Sequence, residues 1–91
     1  MPITSIRRAD SSPRFKRSFA GLPVEIQRKV VDKIALFEAD PQHPSLRIHK
    51  LKGKLAGLWS FYVDDRYRVL FEFVDGDKVL YFDVGTHRVY R

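Results

Sequence analysis

The most basic stretch of this sequence combines ammonium groups, a guanidinium and an imidazole within eight positions. It reads Arg47-Ile48-His49-Lys50-Leu51-Lys52-Gly53-Lys54. On an extended segment Lys50, Lys52 and Lys54 would share one face at a spacing of about 7 Å, which suits successive phosphates. Gly53 and Gly57 would let the backbone approach a ligand closely. The alternative is a solvated loop whose lysines only keep the protein soluble.

Two arginines, Arg66 and Arg68, flank Tyr67 at the start of a strand-like run. If Tyr67 points into the core, both arginines project from the opposite face of the sheet. A guanidinium binds phosphate in a bidentate geometry that an ammonium group cannot provide. The alternative is that the two arginines pair with acids of the same hairpin, namely Asp64, Asp65 and Glu72.

The histidines are the candidates for proton transfer, because histidine titrates close to neutral pH. His87 follows the last predicted strand, although a single histidine at a strand end is often structural or merely exposed. His49 becomes a second candidate if it faces the same site. His43 lies between turn prolines and is expected to be exposed and idle.

Other chemistries find little support in the sequence. It has no glycine-rich phosphate loop, no His/Asp/Glu set with metal-ligand spacing, and no serine in the context of an activated nucleophile. It has no cysteine, which excludes disulfides and thiolate metal sites. Most aspartates fall in predicted turns, which disfavours paired-carboxylate catalysis. We therefore expect neither a metal nor a cofactor.

The first half of the chain predicts one strand and two helices. Residues 3–8 are the predicted first strand. Ser12 and Pro13 then suit the N-cap and the first position of a short helix, which Gly21 ends.

The second predicted helix is longer and amphipathic. Pro23 opens it, and the turn-forming residues 40–44 end it. Its apolar stripe is spaced four, four and three residues apart and consists of Ile26, Val30, Ile34 and Phe37. The two helices should therefore form a hairpin that packs on a sheet.

The second half predicts three consecutive strands over residues 59–63, 67–74 and 78–84. Turns over residues 64–66 and 75–77 connect them. The predicted fold is α+β: a small twisted antiparallel sheet, made of the N-terminal strand and a three-strand meander, with a two-helix hairpin on one face. Residues 1–91 form a single domain.

The charge of the chain predicts an anionic partner, and the cation pattern favours RNA. Seventeen Lys and Arg face eleven Asp and Glu, which gives a net charge of +6 and a pI near 9.9. No apolar run approaches the roughly 20 residues of a membrane span, and the N-terminus lacks the apolar core of a secretory signal. We therefore expect a cytoplasmic protein that does not contact membranes.

With these segments in order, the chain resembles the RelE/ParE superfamily of bacterial type II toxin–antitoxin toxins over nearly its whole length. The helix hairpin ends in an Asp-Pro turn, as in that family. Three further motifs carry the resemblance: Leu51-Lys52-Gly53 followed by Gly57-Leu58-Trp59-Ser60, then Asp65-Arg66-Tyr67-Arg68-Val69-Leu70-Phe71, and finally Val84-Gly85-Thr86-His87. The branch of RelE-, YafQ- and YoeB-like mRNA interferases is the most similar.

The resemblance implies an activity and partners. RelE-like members cleave mRNA in the ribosome without a metal, and a cognate antitoxin neutralises them in a toxin–antitoxin hetero-oligomer. The alternatives are a ParE-like toxin that acts on DNA gyrase through protein contacts, and a degenerate member that only binds its antitoxin. A nuclease should have His87 facing the lysine segment across an open concave surface.

The resemblance also implies roles for individual residues. His87 matches the position of a general acid, and His49 matches a functional histidine of the YafQ-like group. The basic segment with Lys50, Lys52 and Lys54 overlies the one that RelE uses at the phosphate, and Arg68 matches an arginine of the central strand. In the RelE-type hypothesis the base is Lys52, Lys54 or His49, and the charge stabilisers are Arg66 and Arg68, with Arg47 and Lys50 at the phosphates.

One departure from the pattern concerns the strand after the Gly-x-Trp motif. YoeB-like and many RelE-like toxins carry an arginine there, whereas this chain reads Phe61-Tyr62-Val63. Either Arg66 or a lysine replaces that charge, or nuclease activity is weak or absent. The departure therefore bears on activity and not on the fold.

Overall fold

Five strands form one sheet in the computed structural model, which describes residues 5–90 except for the side chains of His87 and Tyr90. The strands are β1 (Arg8–Ser11), β2 (His49–Lys50), β3 (Trp59–Tyr62), β4 (Arg68–Asp75) and β5 (Lys78–Gly85). Their order across the sheet is β1-β5-β4-β3-β2. The α+β class and the meander of β3, β4 and β5 are confirmed.

The two helices are α1 (Pro13–Ala20) and α2 (Val24–Ala39). The Ser12 side chain accepts a hydrogen bond from the Phe15 N–H at 3.0 Å, so the predicted N-cap is confirmed. Gly21 follows the end of α1, and Pro23 precedes α2. Sequence signals thus located both helices, because caps and prolines act locally.

The sheet is mixed and not antiparallel throughout. The meander pairs antiparallel, with Phe71 opposite both Trp59 and Tyr81. By contrast, β1 runs parallel to β5, with Ala9 opposite Val79. A parallel neighbour requires a long crossover, and here α1, α2 and three strands supply it.

The first strand lies later than residues 3–8. Residues 1–4 lie outside the described part, and β1 begins at Arg8. Ile6 is buried in the core, but its N–H donates to the Glu38 carbonyl at 2.8 Å near the end of α2. This contact diverts residue 6 from the sheet, so pairing with β5 starts only where the chain reaches the sheet edge.

The core lies between the helices and one face of the sheet. The Phe37 ring on α2 stacks on Phe61 at a centroid distance of 4.8 Å and contacts Phe71 at 4.7 Å. Val30 is fully buried beside them, and Ile26 and Ile34 pack at the margin. The predicted apolar stripe of α2 is therefore confirmed.

A buried carboxylate fastens α1 to β5. Asp83 is 5% exposed and accepts hydrogen bonds from the Ser18 hydroxyl at 2.6 Å and Arg14 Nε at 3.1 Å. The Ser12 hydroxyl also donates to the Phe82 carbonyl at 2.7 Å. These bonds satisfy the polar groups that packing a short helix on a strand would otherwise bury unpaired.

Candidate functional site

The face of the sheet away from the helices collects several of the candidate residues. Phe61 packs under α2, so its neighbours Ser60 and Tyr62 project from the opposite face. His49 lies opposite Ser60, and Arg68 lies opposite Tyr62. Residues directly opposite each other share a face. We call this side of the sheet, which carries the exposed His49, the half-buried Tyr62 and the buried Ser60 and Arg68, the site face.

The imidazole of His49 is held by its own chain. His49 is exposed on β2, and its Nδ1 lies 3.1 Å from the Arg47 carbonyl oxygen. A carbonyl oxygen only accepts hydrogen bonds, so Nδ1 carries the proton. In the neutral ring Nε2 is then the unprotonated nitrogen. This arrangement leaves Nε2 able to accept a proton from a ligand.

Arg47 has an unusual backbone. Its φ and ψ are both 47°, and it is the one non-glycine residue with positive φ in the described part of the chain. This left-handed conformation costs an L-residue roughly 1–2 kcal/mol. A short 3₁₀ turn, Pro44–Leu46, leads into it, and the Arg47 N–H donates to the Pro44 carbonyl at 3.2 Å.

The guanidinium of Arg47 lies over the ring of Tyr62. Its Cζ atom is 5.1 Å from the ring centroid, within cation–π range. The side chain makes no ion pair within the described residues. Arg47 thus presents an exposed cation beside the site face.

Arg68 is buried, with 3% exposed. Its Cζ atom lies 3.4 Å from the centroid of the Tyr62 ring. Its guanidinium donates to the carbonyls of Tyr67 at 2.9 Å and Asp65 at 3.2 Å, and also to that of Asp64. The side chain therefore ties the β3–β4 turn to the site face.

Asp64 organises the same turn. Its Oδ1 accepts hydrogen bonds from the N–H groups of Arg66 at 2.8 Å and Tyr67 at 2.9 Å, and its Oδ2 pairs with Lys29 Nζ at 3.3 Å. Burial alone would raise the pKa of Asp64, but the two backbone donors and Lys29 outweigh it and hold the pKa below its ordinary value. The turn is thus charged and linked to α2.

Arg66 is exposed in this turn. Among the described residues, no ion pair joins Arg66 or Arg68 to Asp64, Asp65 or Glu72. The alternative in which acids of the hairpin neutralise both arginines is therefore wrong. Asp64 pairs instead with Lys29 on α2.

The lysine segment is not a regular row. It pairs as a strand only at β2, Lys52 keeps an extended backbone (φ −122°, ψ 170°), and a 3₁₀ turn over Gly53–Leu55 follows. Lys50 lies opposite Trp59, so it projects from the face opposite to that of His49. Lys52 and Lys54 are both exposed, but Lys54 lies within the turn, where the two-residue period does not hold. The positive φ of Gly53 (70°) permits this turn.

The C-terminal segment returns to the site face. A 3₁₀ turn, His87–Tyr90, follows β5 and packs on β4 and β5. Gly85 lies opposite Arg68, and a Cβ atom there would lie 2.7 Å from Val89 Cγ1, so a larger residue would displace the Val89 side chain. Val89 therefore brings this turn to the site-face side of the sheet, while the side chain of His87 lies outside the described part.

A second surface lies on the outer side of the helices. A groove of about 350 Å³ is lined by Phe19, Val24, Gln27, Arg28, Val31 and Asp32. Val24 and Val31 are 61% and 55% exposed. They are seven residues apart on α2, so they share one helix face. This exposed apolar strip has the character of a docking surface.

The sequence of the chain matches one protein-family model. The model for the RelE-like toxin of type II toxin–antitoxin system HigB matches residues 16–85, which is most of the chain. The chain therefore belongs to this family of RelE-like toxins. None of the curated protein sequences compared with the chain matches it. Within the described residues, no helix is long and apolar enough to span a bilayer.

Solved structures of similar fold agree with this membership. The YoeB/ParE toxin from Agrobacterium tumefaciens has a TM-score of 0.71 at 17% identity, covering 88% of this chain and 98% of that one. The RelBE2 toxin–antitoxin complex from Mycobacterium tuberculosis gives 0.72 at 22%, covering 88% and 96%. The E. coli DinJ-YafQ complex gives 0.73 at 15%, covering 92% and 96%. These similarities show the shared fold.

Tyr62 is the site-face residue that sequence reasoning missed. The strand β3 lacks a cation, yet its tyrosine contacts two arginines that come from elsewhere in the chain. Alternation places Tyr62 opposite to the buried Phe61, on the open side of the sheet. A tyrosine at a position that alternation places on the face away from the helices was the sequence signal that could have identified it.

Proposed function

We propose that this toxin is a metal-independent endoribonuclease that cleaves mRNA on the ribosome. The observation that carries the proposal is the imidazole of His49, whose Nδ1 is fixed on the Arg47 carbonyl so that Nε2 is available on the site face. An anchored imidazole beside an exposed guanidinium provides a proton acceptor next to a phosphate-binding group.

The reaction is an attack of a ribose 2′-oxygen on the adjacent phosphorus. His49 Nε2 takes the 2′-hydroxyl proton as the P–O bond forms, and the bond between phosphorus and the 5′-oxygen breaks. A general acid gives a proton to the departing 5′-oxygen. The products are a 2′,3′-cyclic phosphate and a 5′-hydroxyl. No bond in this scheme requires a metal ion.

His49 is a better base than either lysine candidate. A lysine acts as a base where burial or neighbouring cations favour its neutral form. Lys52, which precedes the 3₁₀ turn, and Lys54, which lies within it, are both exposed, so neither has the burial that such a base requires. We therefore assign these two lysines to phosphate binding and leave Lys50 out of the site, because it projects from the opposite face of the sheet.

His87 is the proposed general acid, because the backbone of its turn packs on the same sheet face as His49. Arg66, exposed in the β3–β4 turn, stabilises the charge gathered on the phosphorane. Arg68 supports this role by holding the turn through its carbonyl contacts.

The competing function is a ParE-like action on DNA gyrase. The observation in its favour is that β3 itself presents Tyr62 and no cation at the centre of the site face. A toxin that acts through protein contacts needs no proton acceptor there. The two functions therefore differ in whether toxicity requires the side chains of His49 and His87.

The test of the proposed function is to induce the chain alone in growing bacteria and map the 5′ ends of mRNA. A nuclease produces new ends within translated codons, and His87→Ala suppresses them. A purified gyrase supercoiling assay runs in parallel. Intact mRNA together with inhibited supercoiling, unchanged in His87→Ala, would transfer the protein to the gyrase-directed alternative.

We also propose that a cognate antitoxin occupies the groove on the outer side of the helices. The chain has a net charge of +6, and the RelBE2 and DinJ-YafQ structures are toxin–antitoxin complexes. An acidic segment that folds as an amphipathic helix would bury Val24 and Val31 while complementing this charge. The resulting assembly is a hetero-oligomer.

Val31→Asp is expected to weaken antitoxin binding by at least tenfold, because it places a carboxylate in an apolar contact that faces an acidic partner. The matched control is Val74→Asp, at a valine that is 60% exposed on β4 and outside the groove. Calorimetric titration of the purified toxin with its antitoxin measures both. Equal affinities for the two variants would place the antitoxin elsewhere.

A further inference from the structure

Arg47 adopts a conformation that its residue type disfavours. A left-handed residue at the end of a 3₁₀ turn is ordinarily Gly or Asn, because other side chains crowd the following carbonyl. The described structure nevertheless has an arginine there, with φ at 47°. Residues in sparsely populated conformations cluster at functional sites, where the surrounding structure holds them.

Three elements fix where the Arg47 guanidinium lies. The Pro44–Leu46 turn sets the backbone, the Arg47 carbonyl is bound to His49 Nδ1 at 3.1 Å, and the guanidinium lies over Tyr62. The Tyr62 ring is itself held by Arg68, whose Cζ atom is 3.4 Å from the ring centroid. The position of the Arg47 guanidinium is therefore determined by side-chain contacts as well as by the backbone of the turn.

The other cations of the surface are not fixed in this way. Lys52 and Lys54 are exposed, and no ring or ion pair within the described residues restrains them. Arg68 is fixed, but its guanidinium is buried against carbonyls. Among the described residues, Arg47 is the one cation that combines an exposed guanidinium, a ring contact and a direct hydrogen bond to the proposed base.

We propose that Arg47, positioned by the Tyr62 ring, binds the phosphate at which His49 acts. On adjacent strands, His49 and Tyr62 are separated by one strand spacing and by two residues along β3. A phosphate held by the Arg47 fork thus lies within reach of His49 Nε2. Tyr62 is a positioning residue, since it acts through Arg47. This inference rests on the proposed nuclease function.

The test uses single-turnover cleavage of ribosome-bound mRNA by the full chain. Arg47→Asn suits the left-handed backbone and removes the charge. It should preserve or raise the melting temperature while lowering the cleavage rate by about 10²-fold, as for loss of one donor to a developing oxyanion. The matched control, Arg17→Asn, removes an equal charge from an exposed site on α1 and should leave the rate unchanged.

Tyr62 is tested by a double-mutant cycle. Tyr62→Leu should slow cleavage roughly 2–5-fold, the worth of an exposed cation–π contact, and Tyr62→Phe, which keeps the ring, should restore the rate. In the Arg47→Asn background Tyr62→Leu should have no further effect, because its target is gone. An equal loss of cleavage rate from Tyr62→Leu in both backgrounds would show that Tyr62 does not act through Arg47.

The outcomes separate the two proposals. If the unaltered chain cleaves mRNA but Arg47→Asn matches Arg17→Asn, the role of Arg47 is wrong and the nuclease function stands. If the unaltered chain leaves ribosome-bound mRNA intact, the nuclease function itself fails. A melting temperature that falls in Arg47→Asn along with the rate would make Arg47 a structural residue.

Discussion

Replacing His49 with glutamine is expected to lower the rate of mRNA cleavage by about 10²–10⁴-fold, the usual contribution of one general base. Glutamine has a similar reach and forms hydrogen bonds, but its amide does not accept a proton near neutral pH. The variant should still bind ribosomes and antitoxin. Single-turnover cleavage on programmed ribosomes measures the rate apart from binding.

The matched control for this prediction is His43→Asn. His43 accepts a hydrogen bond from the Ser45 N–H at 3.2 Å and so caps the Pro44–Leu46 turn. Asparagine can replace that cap, so the control changes a histidine without disturbing the turn. We expect its cleavage rate to equal that of the unaltered chain. A His49→Gln variant that cleaves as fast as His43→Asn would assign the base elsewhere, with Lys52 or Lys54 the next candidates.

The second large effect concerns stability. Val30 is fully buried on α2, and Val30→Asp would place an unpaired carboxylate among aromatic rings. The expected loss in the free energy of unfolding is about 3–5 kcal/mol, a large part of the 5–15 kcal/mol available to a small domain. Urea denaturation followed by circular dichroism measures it.

The adjacent valine provides the control for the stability prediction. Val31 is 55% exposed on the same helix, so Val31→Asp makes an identical chemical change with the same helix propensity. We expect its unfolding free energy to change by less than about 0.5 kcal/mol. Similar losses in both variants would mean that α2 packs on the sheet through a different face.

Local signals were sufficient to predict the helices and the meander. The Ser12 cap, Pro23 and the Asp40–Pro41 break act within a few residues of where they occur, so no knowledge of the tertiary structure was required. The apolar spacing of α2 likewise reports the face that is buried. These features are properties of short segments.

Features that depend on distant partners were not predictable from short segments. The position of β1 depends on the contact of Ile6 with the end of α2 and on parallel pairing with β5. The prediction of a regular lysine row is wrong because Gly53 takes a positive φ, which the sequence permits but does not require. Sequence spacing alone does not determine either outcome.

The candidate site shows the same division. His49 and Arg47 were identified by residue type, whereas the contact of Arg47 with Tyr62 joins segments 15 residues apart in sequence. The burial of Arg68 depends on hydrogen bonds from its guanidinium to backbone carbonyls of the β3–β4 turn. Residue types thus suggested the chemistry, and the tertiary fold determined which side chains meet.

The central claim is that the site face activates a ribose 2′-hydroxyl against its own phosphate. The most direct measurement combines purified toxin with ribosomes programmed with a defined mRNA, followed by analysis of the fragment ends. We expect a 2′,3′-cyclic phosphate and a 5′-hydroxyl, and no cleavage when a single 2′-deoxynucleotide replaces the nucleotide at the cut. Cleavage of the 2′-deoxy substrate at an undiminished rate, or fragments ending in a 5′-phosphate, would contradict the account.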